Sequence, residues 1–239
     1  ASCKPSNTEE AYQLQAQLNS DLELADLGKV AGYKIGCTSK VMQDYLNIDE
    51  PCSGAIYTNT VYNKIGTVKH SSFCKPGVEC EIAVRLGKDL KPEKAPYDSY
   101  SVTAAIEDCM VAIEIVDDRF MNFRKLDVFT MLADDFFNAG CVLGPPVKLS
   151  RELKLENLYG EMHVNGTKIG SGYGRDVMGH PFNVVAWLAN SFINRGRMLR
   201  KGEFILTGSL VETYWCSTDD NIDVSIDGLG EVSLRFSAT

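Results

Sequence analysis

The chain opens on a helical pattern. Asn7 followed three residues later by Glu10 has the form of an N-cap with its reciprocal glutamate, and Ala11, Leu14, Leu18 and Leu22 then share one stripe that ends near Gly28. An amphipathic helix with that stripe inward is predicted. Residues 32–36 read as a short strand. A second short helix is expected from Ser39, with Val41, Met42, Tyr45 and Leu46 inward, until Pro51 and Gly54 break the pattern. Between 78 and 86 the period changes to two: Cys80, Ile82, Val84 and Leu86 share one side, and Glu79, Glu81 and Arg85 the other. This predicts a half-buried strand with a carboxylate face. The spacing of Val102, Ile106, Cys109 and Met110 predicts a helix over 101–110. The apolar run at 111–116 then reads as a buried strand with Glu114 in its middle.

Hairpins dominate the C-terminal half. Residues 159–164 and 168–172 flank Asn165-Gly166, and 222–226 and 231–236 flank Asp227-Gly228, the dipeptides best suited to tight turns between strands. Between the hairpins, His180-Pro181 opens a helix with Phe182, Val185, Ala186, Ala189 and Ile193 inward, closed by Gly196. The sum is an α+β chain. With no repeat or linker in view it reads as one unit, 1–239, with a helical N-terminal segment (1–50) and a β-rich core (51–239).

Composition narrows the function. The 239 residues are 44% hydrophobic and 23% charged, which suits an ordinary globular core. No run approaches the roughly 18 apolar residues of a membrane helix, and no signal-peptide pattern opens the chain, so a cytoplasmic protein without membrane attachment is expected. The 24 Lys+Arg against 32 Asp+Glu give a net charge of -8. No basic run interrupts it, so nucleic acid is an unsuitable partner and a small molecule a better one. The eight cysteines are scattered without CxxC or Cys/His zinc spacing, which favours buried or free thiols over a disulfide framework.

Four places can carry chemistry. Glu79 and Glu81, two apart on a strand, can aim two oxygen donors at one point, although a solvated strand face carries such pairs equally well. Glu114, flanked by Ile113 and Ile115, needs a buried partner: Arg85, Arg119 or a metal. Three converging carboxylates with open positions for water and substrate suit Mg²⁺ or Mn²⁺. Lys34, between Gly32 and Gly36, can meet a substrate carboxylate or act as an acid or base, or can simply be solvated. Thr207, Gly208 and Ser209 form a turn after a strand whose N–H groups could hold an anion, or be only a turn. His180 reads as a helix cap. A P-loop and a nucleophile elbow are both absent, which removes the nucleotide and serine-hydrolase readings.

These segments jointly resemble a known family. GYKIGCTS at 32–39, VECEIA at 78–83, AIEIV at 112–116, GHPFN at 179–183, AWLAN at 186–190 and LTGSL at 206–210 look like the 2-keto-4-pentenoate hydratase and 4-oxalocrotonate decarboxylase branch of the fumarylacetoacetate hydrolase superfamily. The resemblance implies a mixed β-roll with flanking helices, a divalent metal on Glu79, Glu81 and Glu114, and Lys34 beside the substrate. It further implies a metal that chelates the C1 carboxylate and C2 oxygen of a 2-hydroxydienoate or 2-oxoenoate and stabilises an enolate, so that water adds. Decarboxylation of a vinylogous 2-oxo dioate is the second activity implied, and a silent 2-oxo-acid-binding or scaffolding homologue the alternative of another class. A homo-oligomer and association with a pathway enzyme are also implied. In two stretches the chain departs from the family's pattern. EPCSG at 50–54 puts Cys52 where relatives carry an acid, and DDFFN at 134–138 puts Phe136 and Phe137 where they carry small and hydroxyl residues. These three are expected at the substrate, favouring an apolar tail over a distal carboxylate.

Overall fold

Two long, largely buried segments, 76–86 and 106–117, pair as an antiparallel ladder, and a computed structural model, which describes residues 4–46 and 48–238, is assembled around it. In chain order the elements begin with α1 (Thr8–Leu22), β1 (Val30–Gly36), α2 (Lys40–Leu46), β2 (Cys52–Tyr57), β3 (Val61–Asn63) and β4 (Ile65–Lys69). There follow β5 (Pro76–Leu86), α3 (Ser99–Thr103), β6 (Ile106–Asp117), α4 (Val128–Ala133), β7 (Asn138–Leu143), β8 (Val147–Lys148), β9 (Tyr159–Val164) and β10 (Thr167–Tyr173). The chain closes with α5 (Pro181–Asn194), β11 (Phe204–Ser209), β12 (Tyr214–Trp215), β13 (Asn221–Ile226) and β14 (Gly230–Ser237).

The larger sheet runs β2-β1-β11-β5-β6-β7-β3, with β12 joined to β5 and β8 to β6; the smaller runs β10-β9-β13-β14-β4. Both sheets are mixed, since β1·β11, β3·β7 and β14·β4 are parallel pairs among antiparallel ones. The smaller sheet covers one face of β5 and β6, where Cys80, Ile82, Val111 and Ile113 meet Met162, Val224 and Val232 in the main core. β1 enters the larger sheet, so the segment expected to be helical supplies a strand as well as two helices.

Both predicted hairpins form, and His180 caps α5 by accepting the Phe182 N–H at Nδ1, 3.0 Å away. The seven described cysteines are free thiols. Among the described residues no helix is long and apolar enough to cross a membrane.

Three local expectations are corrected. Residues 101–110 are not a helix: an Asp98 capping box starts the short α3, and β6 already begins at Ile106. A strand covered on both faces reads as an apolar run without alternation, and a helical spacing can be drawn through it. In β5 the alternation is real, but the carboxylate face is covered as well, so the strand is buried on both sides rather than half-buried. On α1 the inward stripe is Ala11, Tyr12, Gln15 and Asn19, whereas Leu14 faces solvent. Hydrogen bonds, not apolar area alone, set that rotation. Gln15 donates to the Ser53 and Leu132 carbonyls, both at 2.8 Å, and Asn19 accepts from the Tyr57 hydroxyl at 2.8 Å. On α2, Met42 is exposed and Leu46 partly buried, and the side chains of Val41 and Tyr45 lie outside the described residues.

The Asn19–Tyr57 bond continues to Asp135, which is buried. Its Oδ1 accepts the Ala55 N–H at 2.8 Å, and its Oδ2 lies 3.2 Å from the Tyr57 hydroxyl. The Tyr57 hydroxyl has one proton for two acceptors, Asn19 and the Asp135 carboxylate, so one of them goes without a donor while Asp135 is ionised, and protonation of Asp135 relieves that shortage and completes the relay. Burial raises Asp135 from 3.8 to about 6. The sign follows: a group with a raised folded-state pKa contributes stability that is fully present below the unfolded value and lost as pH rises through the folded one. Stability should therefore fall by up to about 1.4 kcal/mol per pH unit between roughly pH 4 and 6 from this residue. Asp135→Asn, whose amide N–H₂ can donate to Tyr57 at every pH, is expected to flatten that limb and to be the more stable protein at pH 7. Urea unfolding at pH 4.5, 5.5 and 7 measures this, and an unchanged slope in the variant refutes the relay.

Candidate active site

The site follows from strand register. Glu79 and Glu114 are direct partners across β5 and β6, so their side chains leave the sheet on the same face, and Glu81 follows two residues along β5 opposite Ala112. One oxygen from each of the three glutamates lies within 4.8 Å of the others. The face around them is lined by small or compact residues, Ala83, Ala112 and Cys141, which leave room for the carboxylates.

β11 lies between β1 and β5, and this insertion supplies the cluster with its partners. From β1, the buried Lys34 ammonium reaches Glu114 Oε1 at 2.7 Å. From β11, the Gly208 N–H donates to Glu81 Oε2 at 2.7 Å. The Thr213 hydroxyl, just before β12, donates to Glu79 Oε1. Glu81 Oε1 and Glu114 Oε2 are buried and receive no hydrogen bond.

Electrostatics follow from this crowding. Burial, and then the charge of Glu114, raise Glu79 to about 7; burial followed by Glu114 and Glu79 also raises Glu81. Burial alone would strip Lys34 of its proton, but Glu114, Glu79 and Glu81 together hold it above the ordinary lysine range. The glutamates thus favour the charged form of Lys34 against its burial. With all three ionised, as ligation of a cation would require, the carboxylates exceed the one ammonium by two charges, and two buried oxygens lack donors. An all-oxygen donor set of this charge fits a hard divalent cation, and Glu79, Glu81 and Glu114 are the residues that could hold it.

A cavity of about 470 Å³ opens over the cluster, lined at its floor by Lys34, Glu79 and Ser209. Its wall is apolar, with Phe136 and Phe137 supplied by an unusual turn. Asp135, Phe136 and Phe137 take φ of 62°, 47° and 63°, a left-handed run that side-chain-bearing residues adopt only under constraint. The constraint is visible. Ala55 holds Asp135, and Arg119 clamps the flanks by donating to Asp134 Oδ2 at 2.7 Å and to the Asn138 carbonyl at 2.8 Å. Phe136 then lies over Gly36, where a Cβ would come within 2.5 Å of its ring, and 5.2 Å from Lys34 Nζ.

Residues 42–237 match the fumarylacetoacetate (FAA) hydrolase C-terminal family. The chain belongs to the fumarylacetoacetate hydrolase family. Within it, the chain is 36% identical over 228 residues to 2-keto-4-pentenoate hydratase 1 of Dechloromonas aromatica, covering 95% of this chain and 85% of that one. It is 35% identical over 235 residues to 2-hydroxyhexa-2,4-dienoate hydratase of Comamonas testosteroni, covering 96% and 86%. Among solved structures it is similar to 4-oxalocrotonate decarboxylase from Pseudomonas putida G7, complexed with magnesium and adipate, with a TM-score of 0.90, 31% identity and coverage of 96% and 86%. The branch suggested by the sequence motifs is the one to which these relatives belong.

Within this family fold the predicted site residues separate. Lys34 and the three glutamates come together, and Ser209, Phe136 and Phe137 line the cavity. Thr207 does not: it is fully buried and donates to the Ile82 carbonyl at 2.9 Å. Gly208 spends its N–H on Glu81, so the anion held by that turn is the chain's own carboxylate. Cys52 is buried opposite Gly36 in register, packed with Phe136 and Tyr12 behind the wall, and the adjacent Cys37 thiol together with burial pushes its thiol up. Glu114 pairs with Lys34, whereas Arg119 binds Asp134 and Arg85 lies beside Asp108. Asp176, Glu212, Thr213 and Trp215 also line the cavity and escaped sequence reasoning, because only the β5·β12 pairing brings 213–215 to the site.

Removing a buried charge partner strands the other. Lys34→Met is expected to destabilise the protein at pH 8 by about 3–5 kcal/mol, and Lys34→Met/Glu114→Gln to recover part of the loss. Urea unfolding reads both, and a single variant costing under about 1 kcal/mol would disprove the pairing.

Proposed function

We propose that this chain is a metal-dependent hydratase that converts a 2-hydroxy-2,4-dienoate, through its 2-oxoenoate tautomer, to a 4-hydroxy-2-oxo acid. The observation that carries the reading is the convergence of Glu79, Glu81 and Glu114 beside Lys34, with Lys34 and Glu79 at the floor of a largely apolar cavity and the other two glutamates buried behind them. The hydratase names of relatives at 35–36% identity support it, as does the magnesium of the similar decarboxylase. A divalent cation, Mg²⁺ or Mn²⁺, held by the three glutamates would supply Lewis acidity toward the carboxylate and C2 oxygen of the substrate.

The chain's own residues account for the rest. Lys34, held charged by Glu114, offers a fixed positive charge next to the place where negative charge develops on the 2-oxo head. Its anchoring by Glu114 fixes that charge without reorganisation at the moment of reaction. Thr213 fixes the Glu79 carboxylate at the cavity floor. The aromatic wall excludes bulk water from the diene, so protonation at C5 and water addition at C4 occur in a low-dielectric site. Exposed Ile65 and Ile169, on the edge strands β4 and β10 of the smaller sheet, support the self-association expected of the chain.

The test has two arms. Calorimetry is expected to show Mn²⁺ or Mg²⁺ binding with a rise in melting temperature, weakened by Glu79→Gln, Glu81→Gln or Glu114→Gln; no binding even with pyruvate present would overturn the metal site. In D₂O, a 2-hydroxydienoate should lose its dienol ultraviolet band in a metal-dependent way, incorporate deuterium and yield a 4-hydroxy-2-oxo acid. Release of CO₂ from a 2-oxo dioate without hydration would select decarboxylation instead.

A further inference from the structure

Resting on that reading of the cavity floor, we infer that the site selects a 2-oxo acid with an uncharged, bulky apolar tail and rejects one that carries a second, distal carboxylate. The head of the substrate is fixed at Lys34 and the glutamates, so the tail extends along the remaining wall. That wall is Met42 and Leu46 from α2, Phe123 from the turn before α4, and Phe136 and Phe137 from the strained turn. The rings form a continuous surface: Phe137 stands edge-on to Phe136 and Phe123, each at 5.6 Å between ring centres.

Charge decides more than area here. Among the described residues, four charged side chains line the cavity: Lys34, Glu79, Asp176 and Glu212. The single cation among them is already paired with Glu114, and the other three are acids. Two further cations stand behind the lining without joining it. Lys75 lies on Trp215 at 4.5 Å, and Arg124 on Phe123 at 5.9 Å. A tail carboxylate would therefore be desolvated against rings and face acids at the mouth, with no unpaired cation among the described lining residues to meet it. An alkyl or aryl tail would bury its own area against the same rings. A cavity of about 470 Å³ holds considerably more than the three-carbon head.

The test uses two ligands of equal chain length, 2-oxohexanoate and 2-oxoadipate, titrated calorimetrically into the Mn²⁺-loaded protein. The expected result is affinity for 2-oxohexanoate greater by on the order of 100-fold. Met42→Arg, on an exposed helical position, and Phe123→Arg each place a cation at the wall in place of apolar tail surface; either should raise 2-oxoadipate affinity at least about tenfold and weaken 2-oxohexanoate, so that the ratio between them falls. Equal or tighter binding of 2-oxoadipate by the unmodified protein overturns the inference and leaves the hydratase reading standing. So does an unchanged ratio in both folded arginine variants. Binding of neither ligand overturns the 2-oxo-acid reading of the floor, and this inference with it.

Discussion

Three carboxylates and one ammonium held out of water on a single sheet face form the constraint on which the rest of the structure depends. Like charges placed directly opposite across an antiparallel pair repel, and Glu79 and Glu114 are such a pair, with Glu81 two residues away. An apolar trio would pack there at lower cost, so stability alone does not account for these residues. The fold contains the repulsion by its strand order. Inserting β11 between β1 and β5 brings Lys34 from one side and the Gly208 N–H from the other, and the short β12 brings Thr213 to the third carboxylate. Even so, two oxygens remain without donors, and the charge of the three carboxylates, once all are ionised, exceeds that of Lys34 by the charge of a dication.

The cavity wall is built on a different principle. It is held by side-chain clamps on irregular backbone instead of by a ladder. Three consecutive left-handed residues cost free energy, and Arg119, Ala55 and the polar face of α1 oppose that cost. Asp135 lies at the junction of both systems: its backbone carries the strain, and its carboxyl joins α1 through Tyr57 and Asn19. This explains why α1 buries Gln15 and Asn19 and exposes Leu14. The helix serves as a hydrogen-bonded brace for the wall.

What the sequence revealed follows the same division. Alternation at 78–86 and the apolar flanks of Glu114 were enough to place the glutamates on strands, because strand periodicity is local. The turn dipeptides at 165–166 and 227–228 announced their hairpins for the same reason. Non-local pairing was invisible. Nothing in the chain marks Thr213 as the partner of Glu79, and nothing marks Lys34 rather than Arg85 or Arg119 as the partner of Glu114, since both depend on which strands β11 separates. Thr207 and Gly208 were misread because an unpaired turn was assumed, whereas the strand continues to Ser209 and its groups are spent inside the sheet. Cys52 was placed at the substrate through likeness to relatives, yet it faces the packing between α1 and the Phe136 turn.

Floor and wall are therefore separable in a physical sense. The floor is fixed by backbone register: moving a glutamate requires slipping β5 against β6, which would turn every buried side chain of that strand to the wrong face. The wall rides on α2, the 123–125 turn and the 135–137 turn, short segments whose side chains point into the cavity without carrying a ladder. Exchange of Phe123 or Met42 alters the surface that meets the substrate tail while leaving Lys34 and the glutamates in place. A fold arranged in this way can keep one chemistry at the head of its substrate and change the tail it accepts, and in this chain the described wall residues are largely aromatic and include no unpaired cation.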